Sequence, residues 1–429
     1  MGCNTFRIHN AFNNTLISTS EPENIQAILA TEFHEFNLGP VRRDSFFEVL
    51  GNGIFTAEGE AWAHYRAQLK PQFTRDQVRD LESANRHLQI LFRAFPEENG
   101  LRWIEEADLM PLLYRFIMDV RTEFLFGQSV NSQSTALYSL DSGNTKDVKE
   151  EVAFANAINF AQEYIAWRVS LRSLYWLASS KKFRKACQTI HEFADRFVRI
   201  ALDPNNKRRV VASSKKEKYV LLDELVAETR DPTELRDQIL HVLLAGRDTT
   251  SATLCWTLLL LSRHKDEFQK LRDAVISHFG IEIAPTNEMT FASLKACKAI
   301  THILYETLRL YPLAPINGRR ALKDTVLPTG GGPDRKQPIA VRKGEQIRYS
   351  MYVMHRRHDI WGDDADEFRP DRWEKRKLGW EFIPFSGGPR VCLGRKSAQV
   401  YVNEFTLIPD TEQYALNEAS FVIAKFLQD

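Results

Sequence analysis

Cysteine is scarce. The five in 429 residues sit at 3, 187, 255, 297 and 392, an odd number at wide, irregular spacings. That excludes a disulfide framework and a paired-cysteine zinc motif, and it points to a reducing compartment. Charge of one sign is missing as well. Fifty-seven Lys and Arg against 56 Asp and Glu leave a formal net charge of +1, so no global field draws in nucleic acid. The opening residues, MGCNTFRIHN, are too polar for a signal peptide or a membrane span. Phe6 also stands where a myristoylation signal takes Ser or Thr. No internal repeat occurs. The longest apolar run, Ile239 to Ser262, is broken at its middle by Arg247, Asp248, Thr249, Thr250 and Ser251. Charge at that depth is costly in lipid, so the run reads as a buried helix of a soluble fold.

What is present is enough apolar mass for a large core, 43% of the chain. Length alone allows two or three domains. Helical periodicity dominates from Glu21 to about Phe279. Helices are expected over Pro22–Leu29, Ala61–Leu69, Asp108–Phe126 and Val152–Leu177. The polar stretch from Asn131 to Glu150 reads as a loop. The basic run Lys207-Arg208-Arg209, with Lys215, Lys216 and Lys218, reads as a solvated connector. Asp231-Pro232-Thr233-Glu234 is a start signal in which Asp caps, Pro takes the first helical position and Glu reaches back. The helix it opens runs to about Arg263, roughly 48 Å at about 1.5 Å per residue. After Pro312 the texture changes. Thr325-Val-Leu-Pro, Pro338-Ile-Ala-Val and Gln346-Ile-Arg-Tyr read as strands. Gly330-Gly331-Gly332 lacks the Lys-Ser/Thr of a phosphate loop and reads as a hairpin tip. The fold class is mainly α with a small β region.

The stretch PFSGGPRVCLG, Pro384 to Gly394, carries the chemistry. A lone cysteine in a glycine turn is usually packing. Here Phe385, Gly388, Arg390, Cys392 and Gly394 fill the pattern Phe-x-x-Gly-x-Arg-x-Cys-x-Gly. A thiolate in such a loop can bind haem iron axially and push electron density toward dioxygen. Glycines allow close approach of the macrocycle, and Arg390 can neutralise a propionate. Glu306 and Arg309 stand three apart on one helix face, an ordinary ion-pair spacing. Arg372, in Phe368-Arg369-Pro370-Asp371-Arg372-Trp373, can fork onto the same carboxylate. Trp62 and Arg66 are i,i+4, as either a stacked surface pair or a propionate contact. Ala245-Gly246-Arg247-Asp248-Thr249-Thr250 sets small and polar side chains inside an apolar helix. Its Thr can bond back and bend the helix, opening space beside Gly246 for dioxygen and a water. Thr249 would then donate to oxygen while Asp248 relays protons.

These patterns, in this order, resemble the cytochrome P-450 monooxygenases from about Glu21 to Gly394. That resemblance implies one catalytic domain over 1–429 with the fold of that family, and haem b as cofactor. It makes Cys392 the axial ligand, in a loop with Phe385 and Gly394, and Glu306, Arg309 and Arg372 a structural network. Trp62, Arg66, Arg319 and Arg390 become propionate partners, and Asp248 and Thr249 the catalytic pair. His355 resembles another family position, although a structural histidine reads equally well. The intact Asp-Thr pair favours monooxygenation over peroxide rearrangement. Glu21-Pro-Glu-Asn-Ile-Gln-Ala-Ile-Leu, Gly53-Ile-Phe-Thr-Ala-Glu-Gly-Glu-Ala-Trp and Met354-His-Arg-Arg-His-Asp-Ile-Trp-Gly look like the fungal alkane and fatty-acid hydroxylases. Implied with them are a lipophilic aliphatic substrate hydroxylated near its end, dioxygen, and NADPH–cytochrome P-450 reductase. Lys70 would belong to the basic docking face for that reductase. A full-length form would associate with the endoplasmic reticulum membrane on its cytosolic face. Phe46, Phe47, Phe154, Phe160, Tyr164, Trp167 and Leu244 suit either a greasy channel or ordinary core. A xenobiotic or aromatic hydroxylase, or a non-catalytic haem-binding relic, are the alternatives.

Two departures stand out. Residues Lys396 to Glu412, KSAQVYVNEFTLIPDTE, separate the cysteine loop from an apolar helix with Leu416, Ala419, Ile423 and Phe426 on one face. We read them as an insertion and a retained intron as its origin. Arg395-Lys396-Ser397 can be encoded with a donor-like GTAAGT, and Thr411-Glu412 with an acceptor-like AG. A mature messenger that keeps the segment refutes this. The family also has an anchor, a proline hinge and first strands ahead of this start, and a pocket hairpin beyond Asp429. The expectation is a chain truncated at both ends and compromised in folding or activity.

Overall fold

The structure is a computed structural model that describes residues 4–9, 15–73, 81–95, 108–138, 146–203, 219–394 and 414–428. The insertion expected at 396–412 and the basic run at 207–218 lie outside these residues. The chain divides into two compact units, one of residues 1–39 and 256–429, the other of residues 40–255.

The first unit opens with strands β1 (Thr5–His9) and β2 (Thr15–Thr19), a short helix Pro22–Gln26 that continues as a π-helical turn Ala27–Thr31, and β3 (Phe36–Asn37). The second unit is helical. It contains α1 (Pro40–Leu50), α2 (Gly59–Leu69), α3 (Glu82–Arg93), α4 (Leu109–Phe126), a short helix Ser132–Tyr138, α5 (Lys146–Leu171), α6 (Lys181–Leu202) and α7 (Leu221–Glu228). Helix α8 (Pro232–Arg263) leads back into the first unit. There follow α9 (Lys265–Phe279), α10 (Lys298–Leu310), β4 (Ile316–Ala321), β5 (Thr325–Gly331), β6 (Gln337–Val341), β7 (Gln346–Ser350) and α11 (Tyr414–Gln428).

In the first unit the main sheet runs β1-β2-β7-β4-β3. β1 and β2 form an antiparallel pair, Thr5 opposite Thr19. β2 then lies parallel to β7, Leu16 opposite Gln346. The expectation of a chain lacking its first strands is therefore corrected: residues 5–19 supply two. Alternation in TLIST is too short to register in sequence, and the pairing partner lies far along the chain. Ile17, Ile25, Ile28, Leu29, Leu327, Ile347 and Tyr349 form the core beneath. β5 and β6 make the expected hairpin, with Gly331 opposite Gln337. Asn24, fully buried, stitches the layers. Its Nδ2 donates to Thr5 Oγ1 (3.1 Å), Thr19 Oγ1 (3.1 Å) and the Thr329 carbonyl (2.9 Å). Its Oδ1 accepts from the Thr329 N–H at 3.0 Å.

The second unit owes its boundaries to caps. Asp108 accepts from the Met110 N–H at 3.2 Å and Ser180 from the Phe183 N–H at 3.0 Å. Asp231 accepts from the Thr233 N–H at 2.8 Å. Glu234 does not reach back, which corrects the expected capping box. The Asp231 N–H goes to Thr229 Oγ1 instead (3.3 Å). Glu234 is taken by His64 (2.8 Å) and Gln68 (2.9 Å) of α2. The loop expected over 131–150 is partly helix, at Ser132–Tyr138 and again from Lys146. Its first turn is capped from a distance, because Asp119 of α4 accepts from the Ser132 N–H (2.6 Å) and the Gln133 N–H (3.0 Å). Stacked rings fill the core, with Phe154 on Phe193 at 4.0 Å and Phe126 on Phe197 at 4.5 Å.

Candidate active site

The cysteine loop belongs to the first unit. Ser386 and Gly388 both take left-handed backbone, φ 64° and 65°, and the chain doubles back so that the Cys392 N–H donates to the Phe385 carbonyl at 3.0 Å. A Cβ at Gly388 would lie 1.7 Å from the Leu29 carbonyl oxygen, so the loop sits directly on the turn Ala27–Thr31. Cys392 is exposed, Phe385 and Arg390 are half-buried, and Gly394 closes the turn.

Behind the loop the structure brings Glu306, Arg309 and Arg372 together. Glu306, with no exposed surface, accepts five hydrogen bonds. They come from Arg309 Nε (2.9 Å) and Nη2 (2.8 Å), Arg372 Nε (2.8 Å), the Arg369 N–H (2.8 Å) and Trp373 Nε1 (3.0 Å). Arg309, equally buried, spends its remaining donors on the carbonyls of His355 (2.8 Å), Ala365 (2.5 Å) and Glu367 (2.9 Å). A buried ion pair is tolerated only when every donor and lone pair is matched in this way. His355 carries the network toward the loop, since its Nε2 accepts from the Ile383 N–H at 3.2 Å. It is a structural histidine here, neutral and protonated on Nδ1.

Haem suits the residues present. Arg319 of β4 is 5% exposed. It donates to the neighbouring Gly318 carbonyl (2.8 Å) and lies over the Tyr349 ring (5.9 Å). Among the described residues no carboxylate pairs with it. A buried guanidinium without a counter-ion calls for an anion, and a haem propionate is one. No cluster of three His, Cys, Asp or Glu that could hold a bare metal ion occurs among the described residues.

In the second unit, α8 runs unbroken through its polar middle. Three hydroxyls bond back one turn: Thr249 to Ala245 O (2.8 Å), Ser251 to Arg247 O (2.9 Å) and Thr253 to Thr249 O (2.8 Å). Gly246 has a close neighbour on one side. A Cβ there would lie 2.7 Å from Arg121 Nε, so the Arg121 side chain occupies that side, and its Nη2 donates to Thr250 Oγ1 at 3.4 Å. Asp248 is half-buried, and its Oδ2 accepts from Gln162 Nε2 at 2.6 Å. Burial pushes its carboxyl up, against the pull of Arg247. Burial likewise pushes the Arg247 guanidinium down. On α2, Arg66 lies over the Trp62 ring at 5.7 Å, the geometry of the stacked pair. Of the set that suited either channel or core, one member settles on core. Phe154 is fully buried and has no surface left to line a channel, while Tyr164 meets Phe160 at a tilt and stacks on Trp167. Sequence reasoning missed Arg121, Asn159 and Gln162, which sit on other helices and carry no local signal.

Acid should loosen both units. His241 and His355 are fully buried, and burial pushes each from 6.5 down to about 3. Above pH 6.5 the rings are neutral in both folded and unfolded chains. Between 6.5 and about 3 only the unfolded chain takes up the proton. Stability therefore falls as pH falls, by about 1.4 kcal/mol per pH unit for each ring. A urea midpoint that stays flat from about pH 6.5 to 4.5 would contradict this.

Residues 5–406 match the family model of cytochrome P-450. A Fusarium protein named cytochrome P-450 monooxygenase g430 is 46% identical over 100% of this chain and 72% of its own length. Cytochrome P-450 52A5 of Candida maltosa is 44% identical over 96% of this chain and 74% of its own. The chain thus spans about three quarters of these relatives. Among solved structures, the haem domain of cytochrome P-450DA superposes with a TM-score of 0.72 at 21% identity, over 99% of this chain and 82% of that one, a likeness of fold.

Proposed function

Because this chain belongs to the cytochrome P-450 family, we propose that it is a haem-thiolate monooxygenase acting on long aliphatic substrates, alkanes or fatty acids, near the chain end. The observation that carries this is Cys392, exposed at the end of a glycine loop seated on Leu29. In the balanced reaction, substrate C–H, dioxygen, NADPH and a proton give alcohol, water and NADP⁺, with electrons delivered through NADPH–cytochrome P-450 reductase. Haem b supplies the oxygen-activating redox chemistry when bound. Cys392 would hold the iron, with Phe385 and Gly394 shaping the loop. Arg319, Arg390, Arg66 and Trp62 would meet the propionates.

The chain's own residues do the rest. Glu306, Arg309 and Arg372 fix the support of the loop. Asp248, with its carboxyl pushed up by burial, would take up and release the proton. Thr249 Oγ1 now donates to Ala245 O, and by leaving that carbonyl it becomes a donor toward oxygen. The chain acts as one catalytic domain, a reading supported by α8, which belongs to both units. A longer form would sit at the endoplasmic reticulum membrane facing the cytosol. No helix among the described residues is long and apolar enough to cross a membrane.

The reduced carbon-monoxide difference spectrum tests the reading. The protein should give a Soret band at the thiolate position, and Cys392→Ser should abolish it. A band that survives the substitution unchanged removes Cys392 from the iron. Binding spectra should respond to fatty acids before aromatics.

A further inference from the structure

Two amides of α5, Asn159 and Gln162, stand one turn apart and face the charged pair at the middle of α8. Arg247, 4% exposed, donates from Nη1 to Gln162 Oε1 at 3.1 Å and from Nη2 to Asn159 Oδ1. Its guanidinium lies over the Tyr114 ring at 5.0 Å, and its Nε stays 3.9 Å from Asp248 Oδ1. Gln162 turns its other end, Nε2, to Asp248 Oδ2 at 2.6 Å. Only one amide orientation serves both neighbours, because the flipped one would set oxygen against carboxylate and N–H against guanidinium. Asp248 Oδ1 is left buried with no hydrogen-bond partner among the described residues. A buried lone pair of that kind is normally matched by a donor, and a proton on the oxygen itself is the simplest one.

We propose that Gln162 is a positioning residue for Asp248: it pins Oδ2 as an acceptor and so leaves Oδ1 as the oxygen on which the carboxyl carries its proton. The inference rests on Asp248 acting as the proton carrier of the proposed reaction. Gln162 can donate to Oδ2 in both forms, and more strongly to the ionised one. It therefore opposes burial, which alone would hold the carboxyl protonated, and it keeps the group able to cycle. The other ionisable groups facing Asp248 are Arg247 on its own helix and Tyr114 of α4; with Gln162 changed, Arg247 keeps its bond to Asn159 Oδ1.

The test is Gln162→Leu in the substrate-free holoprotein. The C=O stretch of the protonated carboxyl, assigned by its loss in Asp248→Asn, is titrated by difference infrared spectroscopy. Loss of a donor to an ionised group should raise the midpoint by about one to two pH units. The acid limb of the turnover profile should move up with it, a shift that a purely structural role would not produce. A midpoint that stays or falls overturns the assignment. Should the Leu variant not hold haem, Gln162→Met, closest in length and volume, carries the same expectation. The infrared midpoint needs no turnover, so its failure sinks the role of Gln162 alone. A wild-type protein without the thiolate Soret band sinks the monooxygenase reading instead.

Discussion

Glu306→Gln should leave a protein that does not hold its fold. The carboxylate is surrounded by five donors from Arg309, Arg369, Arg372 and Trp373. An amide offers one acceptor in place of two and turns its own N–H groups against donors. The Arg309 charge, with no exposed surface, then lacks its counter-ion. Removing one partner of a buried pair costs about 3–5 kcal/mol, against a total stability of roughly 5–15 kcal/mol. Urea unfolding should show at least about a fifth of the stability gone, or the protein should be recovered insoluble and without haem. Arg309→Lys should behave alike, because an ammonium cannot serve both carboxylate oxygens and three carbonyls at once. A Glu306→Gln protein with the wild-type urea midpoint would show that the network contributes nothing.

Gly388→Val should separate haem binding from folding. The added Cβ would overlap the Leu29 carbonyl oxygen, at 1.7 Å, in a backbone conformation with φ +65° that branched residues avoid. The left-handed backbone costs about 1–2 kcal/mol and forced overlap about 1–3 kcal/mol more. Backbone on both sides cannot rotate aside as a side chain would, so the loop must lift from the Ala27–Thr31 turn. Cys392 follows four residues later on the same loop, whereas the Glu306 network makes no use of Gly388. The expected result is a cooperative unfolding transition close to wild type with the thiolate Soret band lost. A full band at wild-type haem content would show that the loop does not need this seat.

Features that announce themselves locally were legible in the sequence. Asp231-Pro232 marked the start of α8 and Arg263 its end, because a cap and a change of periodicity are written in neighbouring residues. The Glu306-Arg309 spacing and the Phe-Arg-Pro-Asp-Arg turn pointed to residues that do meet. The misses share one cause, a partner distant in the chain. Ser132–Tyr138 is helical because Asp119 caps it from another helix. β2 is a strand because β7 pairs with it. Glu234 turns from its expected cap because His64 and Gln68 compete for it. Around Asp248 the sequence showed the acid and the alcohol, while Gln162, Asn159 and Arg121 approach from α5 and α4 at positions with no distinguishing spacing.

The pairing of β2 with β7 also sets an order of events at the ribosome. Leu16 waits for Gln346, about 330 positions downstream, and at about 5–20 residues per second that is roughly 15–70 s of translation. Through that interval Ile17, Ile25 and Ile28 have no sheet to bury them, while the helical unit 40–255 is already complete behind them. That nascent segment thus keeps its apolar face unburied until the last strand of its sheet emerges.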